Sequence, residues 1–192
     1  MRLVLSFELA IPVVERLSLL QEELADPIRQ LGGEPRWTSA DRLQVPVRII
    51  ELAEPDLEHR MLDGLKTICR SVQPFDIEAR GTRMHPAHDK PRMVLTDVDD
   101  PTGRMTAMLR RIDASFAALG ITPEPGDPTP VILVGRIRCG QDPPRLRGVA
   151  RPYSETPWGA SPVRELVLTR TGVVGTREQR RIRRRIELGT GR

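Results

Sequence analysis

The chain has three histidines, the residue type whose charge changes near neutral pH. His85 and His88 lie three apart in Met84-His85-Pro86-Ala87-His88-Asp89, with a carboxylate adjacent. Such a set could ligate a metal, or act as acid and base if its loop folds over a site. The spacing is short and no further His or Cys cluster supports it, so no metal is expected. His59 falls on the polar side of a helix and reads as solvated. Arg177, Arg180, Arg181, Arg183, Arg184 and Arg185 form the densest charge run. They could contact RNA phosphates, or protect an edge strand, because Ile182, Ile186 and Leu188 interleave with them. Cys69 lies beside an apolar helical stripe and reads as a small core residue. Cys139 follows a strand with no base placed beside it, so neither thiol is expected to be a nucleophile. Trp37 and Trp158 read as packing residues rather than stacking platforms. No glycine loop for phosphate and no dinucleotide fingerprint is present, and no cofactor is expected.

The elements that must position these residues follow from periodicity. Leu3, Leu5, Phe7 and Leu9 alternate as in a half-buried strand. Val13, Leu17, Leu20, Leu24, Ile28 and Leu31 recur at three and four, which predicts an amphipathic helix. Pro12 suits its first turn, Pro27 is placed to kink it, and Gly32-Gly33 ends it. Residues 43–51 alternate again, and Leu57, Met61, Leu65, Ile68 and Val72 mark a second helix. Pro74 stops it before a strand at Phe75, Ile77 and Ala79. Strands are predicted at 92–98, 131–137, 163–169 and near 180–188. A third helix carries Met105, Met108, Leu109, Ile112, Phe116 and Leu119. The second half thus repeats the order of the first. Hairpin-like strands mixed with helices favour an α+β protein over a parallel sheet. Residues 140–162, rich in Pro and Gly, read as a long surface loop.

Length and composition set the frame. The 192 residues suit one domain, or one built from two similar lobes. Hydrophobic content of 39% excludes a disordered chain. No apolar run approaches the roughly 18 residues of a membrane helix, and Glu8 argues against a signal peptide. Two cysteines are too few for a disulfide framework, so a cytoplasmic protein is expected. Lys66 and Lys90 are the only lysines, so arginine makes up the rest of the 30 basic residues. That excess suits phosphate contact. With 26 acids interspersed, it reads more simply as the coding bias of a GC-rich genome.

Particular segments resemble the two-histidine phosphoesterases, and among them the RNA 2′,3′-cyclic phosphodiesterases, long described as 2′-5′ RNA ligases. The opening RLVLSFELAIPVVERL is similar to the family's first strand and helix. Arg36-Trp37-Thr38-Ser39-Ala40-Asp41-Arg42-Leu43 resembles the lead into its first catalytic strand. RGTRMHPAHDKPRMVLTDVDDP resembles its central loop and strand, and Gly126 to Arg136 the approach to its second catalytic strand. SPVRELVLTRTGVVG resembles a late strand. The resemblance covers almost the whole chain. It implies a single bilobal domain over 1–192 whose lobes share strands. Two antiparallel sheets with flanking helices would be related by a pseudo-twofold axis.

The family's chemistry uses two His-x-Thr motifs, one per lobe. Side chains at i and i+2 of a strand share a face, so both point at one phosphate. Here the first motif position reads Gln44-Val45-Pro46 and the second Val131-Ile132-Leu133. Gln44 can donate a hydrogen bond but cannot exchange a proton near neutral pH, and Pro46 has neither hydroxyl nor N–H. No catalytic residue is therefore expected at Gln44, Pro46, Val131 or Leu133. Gln44, Arg48 and Arg136 remain as ligand-binding candidates. Arg48 shares the strand face of Gln44 and is expected to look into the cleft. Arg136 matches an arginine the family often carries. Simple alternation turns it away from Leu133 unless a bulge intervenes. The resemblance implies a module that binds RNA ends or phosphorylated nucleotides without catalysis. The alternatives are an active phosphodiesterase using His85 or His88, and a scaffold for a protein partner. No membrane partner is expected.

Overall fold

The computed structural model describes residues 2–51, 55–87, 90–122, 129–138, 143–174 and 177–190. Among them the strands are β1 (Arg2–Glu8), β2 (Glu34–Trp37), β3 (Gln44–Glu51), β4 (Phe75–His85), β5 (Met93–Asp99), β6 (Val131–Arg138), β7 (Pro157–Val163), β8 (Glu165–Val174) and β9 (Arg177–Glu187). The helices are α1 (Ile11–Gln30), α2 (Pro55–Ser71), α3 (Arg104–Ala117) and α4 (Pro143–Gly148).

α1 shows why these boundaries fall where they do. Its buried face is Val13, Leu17, Leu20, Leu24 and Ile28, as the three-four spacing demands. It runs through Pro27 to Gln30. Gly32 has φ 74°, and the amides of Gly32 and Gly33 bond back to the carbonyls of Arg29 and Ile28. That reversal needs a residue without a Cβ clash.

Two antiparallel sheets result, in the orders β3-β1-β8-β9 and β2-β6-β5-β4-β7. The fold is α+β, as expected. The lobes are not the two halves of the chain, however. β1 and β3 pair in the first sheet while β2, between them in sequence, joins the second, and β8 and β9 return to the first. The short β2 escaped the periodicity because Glu34-Pro35-Arg36-Trp37 has no apolar alternation. Residues 140–162 are not one long loop. α4, a 3-10 turn at Arg151–Tyr153 and β7 lie there, and β7 pairs along β4 from Phe75↔Val163 to Arg80↔Pro157. Backbone pairing overrode the weak strand propensity of Pro and Gly on this edge strand.

α1 packs on β2, β6 and β7, and α2 packs on α3 and β9. One continuous apolar cluster takes residues from both sheets. Phe7 of the first sheet and Phe75 of the second meet edge to face, with centroids 5.8 Å apart.

Candidate functional site

β3 and β6 carry the candidate motif positions, and they are built alike. Each repeats the burial sequence half-buried, buried, half-buried, buried, buried, exposed, buried, exposed. Each also contains one extra residue. In β3, Leu5 faces Arg48 and Ser6 faces Pro46, so Val47 is left unpaired. In β6, Val94 faces Gly135 and Leu95 faces Leu133, so Val134 is left unpaired. A bulge exchanges the two faces of a strand beyond it.

The bulge in β3 overturns the expectation for Arg48. Past Val47 the strand flips. Arg48 turns inward with 7% of its surface exposed, while Ile49 turns out at 44%. The Arg48 Nε donates to Asp113 Oδ1 of α3 at 2.5 Å, Nη2 donates to Asp113 Oδ2, and Nη1 donates to the Val47 carbonyl. Arg48 is therefore a structural ion pair under the sheet and is not a ligand residue of the cleft.

The bulge in β6 does the opposite for Arg136. It turns Gly135 inward and Arg136 outward, onto the face of Leu133. Only a glycine fits at 135, since a Cβ there would lie 2.5 Å from Trp37 Cε3. The buried carbonyl at this bulge is satisfied by Gln21 of α1, whose Nε2 donates to Val134 O at 2.9 Å and to Thr38 O at 2.8 Å. Each bulge thus has a buried side chain holding its carbonyl, Arg48 in one strand and Gln21 in the other.

Between the sheets lies a cleft of about 440 Å³. Gln44, Pro46 and Ile49 of β3 line one wall and Leu133 and Arg136 of β6 the other. Arg2, Arg36 and Arg42 add three more cations, and among the described residues no carboxylate or histidine lines the cleft. Gln44 accepts a hydrogen bond from Ser6 Oγ at 3.1 Å. Val131 is half-buried on the strand face of Leu133, beside the cleft. Arg36 and Arg136 are direct cross-strand partners of β2 and β6. Both are exposed, and among the described residues neither is paired with a carboxylate. Like charges placed directly opposite destabilise a sheet, so this pair is costly unless an anion lies between them. Arg36 was not singled out by sequence reasoning. Its signal was available only as the cross-strand register of β2, a strand that periodicity had not found.

The other candidates lie apart from the cleft. His85 ends β4, exposed, in one register row with Met93 and Arg136. It stands two strands from Arg136, roughly 10 Å at the usual spacing. His88, Asp89 and Cys139 lie outside the described residues. His59 is exposed. Among the described residues no group of three His, Cys, Asp or Glu side chains could hold a metal. Of the arginine run, Arg185 donates to Glu8 at 2.8 Å and to Glu165, tying β9 to β1 and β8. β9 is the edge of the first sheet, which suits the edge-protection reading. Cys69 is buried, and burial pushes its thiol up to about 11, which makes it inert. Trp158 is buried and donates from Nε1 to Gly81 O and Thr82 Oγ1, whereas Trp37 is half-buried at the cleft. No described helix is long and apolar enough to cross a membrane.

Solved structures share this arrangement of two antiparallel sheets about a cleft. The fold matches a Thermus thermophilus protein at TM-score 0.78 over 98% of both chains, with 17% identity. It also matches E. coli LigT complexed with 3′-AMP at TM-score 0.74 over 97% of both chains, with 16% identity. The chain has the fold of the two-histidine phosphoesterases. In sequence it is similar to curated RNA 2′,3′-cyclic phosphodiesterases. The Aeropyrum pernix protein of that name is 24% identical over 157 residues, which are 79% of this chain and 88% of the relative. No family model matches the chain.

Proposed function

We propose that this protein binds phosphate-bearing nucleotides or RNA ends in the cleft between its sheets and has given up the family's hydrolysis. The observation that carries this reading is the lining of the cleft: among the described residues, four arginines and no side chain able to exchange a proton near neutral pH. Hydrolysis of a 2′,3′-cyclic phosphate forms a bond from water oxygen to phosphorus and breaks one ester P–O bond. A base must take the proton of water, and an acid must protonate the leaving oxygen. Gln44, Pro46, Val131 and Leu133, at the positions that would do this, can do neither. Each missing proton transfer costs about 10²–10⁴-fold in rate. Guanidinium groups still match phosphate oxygens in charge and geometry.

The experiment is to incubate the purified full chain with nucleoside 2′,3′-cyclic phosphates and, in parallel, titrate it with 3′-phosphorylated nucleotides. We expect no turnover, with binding that weakens steeply as salt is raised. Turnover abolished by His85→Ala or His88→Ala would instead establish an enzyme with relocated acid and base. Absence of nucleotide affinity, with capture of a defined protein partner, would favour a scaffold.

A further inference from the structure

Building on that nucleotide-binding reading, we infer that the cleft selects a terminal 2′- or 3′-phosphomonoester over the cyclic phosphodiester. The argument starts from Arg36 and Arg136. As direct cross-strand partners their backbones are about 5 Å apart, and their side chains leave the same face of the sheet. Neither has a carboxylate partner among the described residues. The repulsion between them is relieved by an anion, and relieved further by a dianion. A cyclic diester carries one negative charge and two unbridged oxygens. A monoester carries three such oxygens and, once its second proton leaves near pH ~6, two charges. Two guanidinium forks can supply four N–H donors, enough for three oxygens. The neighbouring motif positions cannot take up the surplus, because Pro46 and Leu133 have no donor. The charge count of the ligand therefore decides affinity here.

The surroundings make the ligand's own proton the readout. Facing the clamp are Arg2 from β1, Arg42 from the turn before β3, and the neutral Gln44, Thr38, Ser39 and Thr171. The carboxylates next to the lining in strand register are Glu8, opposite Gln44 and bound by Arg185, Glu51, opposite Arg2, and Glu34, two residues from Arg36 on its face of β2 and paired with Arg138. His85 is two strands from Arg136 along the same row. Among the described residues, no side chain that titrates between pH ~5 and ~8 lies within the lining itself.

Calorimetric titration of the full chain with 3′-AMP and with adenosine 2′,3′-cyclic phosphate, at pH 5 and pH 8 in one low-salt buffer, tests this. We expect 3′-AMP to bind about tenfold more tightly at pH 8, the change in its dianion fraction, and the cyclic ester to bind more weakly with no pH response. Arg36→Gln and Arg136→Gln, both exposed positions, should each remove the pH response, and His85→Gln should keep it. Cyclic ester bound as tightly as 3′-AMP, and lost in both arginine variants, would overturn the selectivity while leaving the nucleotide-binding reading intact. So would 3′-AMP affinity that does not change with pH, or a pH response lost in His85→Gln. Failure of both compounds to bind at either pH would overturn both readings.

Discussion

A guanidinium beneath a strand is stable only with a carboxylate and further acceptors around it. Arg48 has these: Asp113, itself only 17% exposed, and the Val47 carbonyl. Removing the cation leaves an uncompensated carboxylate and a bulge carbonyl without its donor. Arg48→Ala should therefore lower the unfolding free energy by about 3 kcal/mol, read from urea denaturation. Its effect is on folding and not on the ligand, since it lies on the far face of β3. The folded fraction of the variant should keep the salt dependence of the proposed nucleotide binding. Pairing Arg48→Met with Asp113→Leu should recover much of the loss, because a matched apolar pair leaves nothing unpaired. A single variant as stable as the parent would show that the ion pair contributes nothing.

At the scale of the element, the bulges are the working parts. Each shifts one residue out of the ladder, and a buried side chain donates to the carbonyl of that residue. In β6 the holder is Gln21, a neutral donor buried between two carbonyls. Gln21→Ala should cost about 1–2 kcal/mol, since Thr38 N still donates to Val134 O at 3.0 Å. Gln21→Glu should cost more at pH 7, because an ionised carboxylate would face two acceptors. That variant should regain stability as pH falls below about 5, where a protonated carboxyl can donate again. Thermal melts of both variants at pH 5 and pH 7 check the ordering. If the Glu variant equals the Ala variant at both pH values, Gln21 is not donating as described.

For the whole molecule, one core joins both sheets, and Cys69 is completely buried within it. An exposed thiol loses its proton near pH ~8.5, whereas burial holds this one up to about 11. The folded state therefore keeps a proton that the unfolded chain releases. This contribution to stability is complete below pH ~8.5 and is lost as pH rises toward about 11. Over that range, the melting temperature of the parent should fall more steeply than that of Cys69→Ala. Parallel curves for the two proteins would mean that the thiol is not protected by the fold.

Much of this architecture was legible in the chain because it is written in local periodicity. The stripe from Val13 to Ile28, the alternation from Leu3 to Phe7 and the stop at Gly32 depend only on residues a few positions apart. So does the chemistry open to Gln44, Pro46, Val131 and Leu133, none of which can exchange a proton near neutral pH in any fold. What tertiary structure decided was direction. Whether Arg48 or Ile49 looks into the cleft depends on one unpaired residue in β3, and that residue is set by pairing with β1 rather than by the local pattern. The same rule turned Arg136 toward the cleft and brought Arg36 opposite it, through a strand too short and too polar to be seen in sequence. Pro157 to Val163 became a strand because β4 offered an unpaired ladder. Side-chain period is two, so a single bulge inverts every assignment beyond it, and only partners distant in sequence determine where the bulge falls.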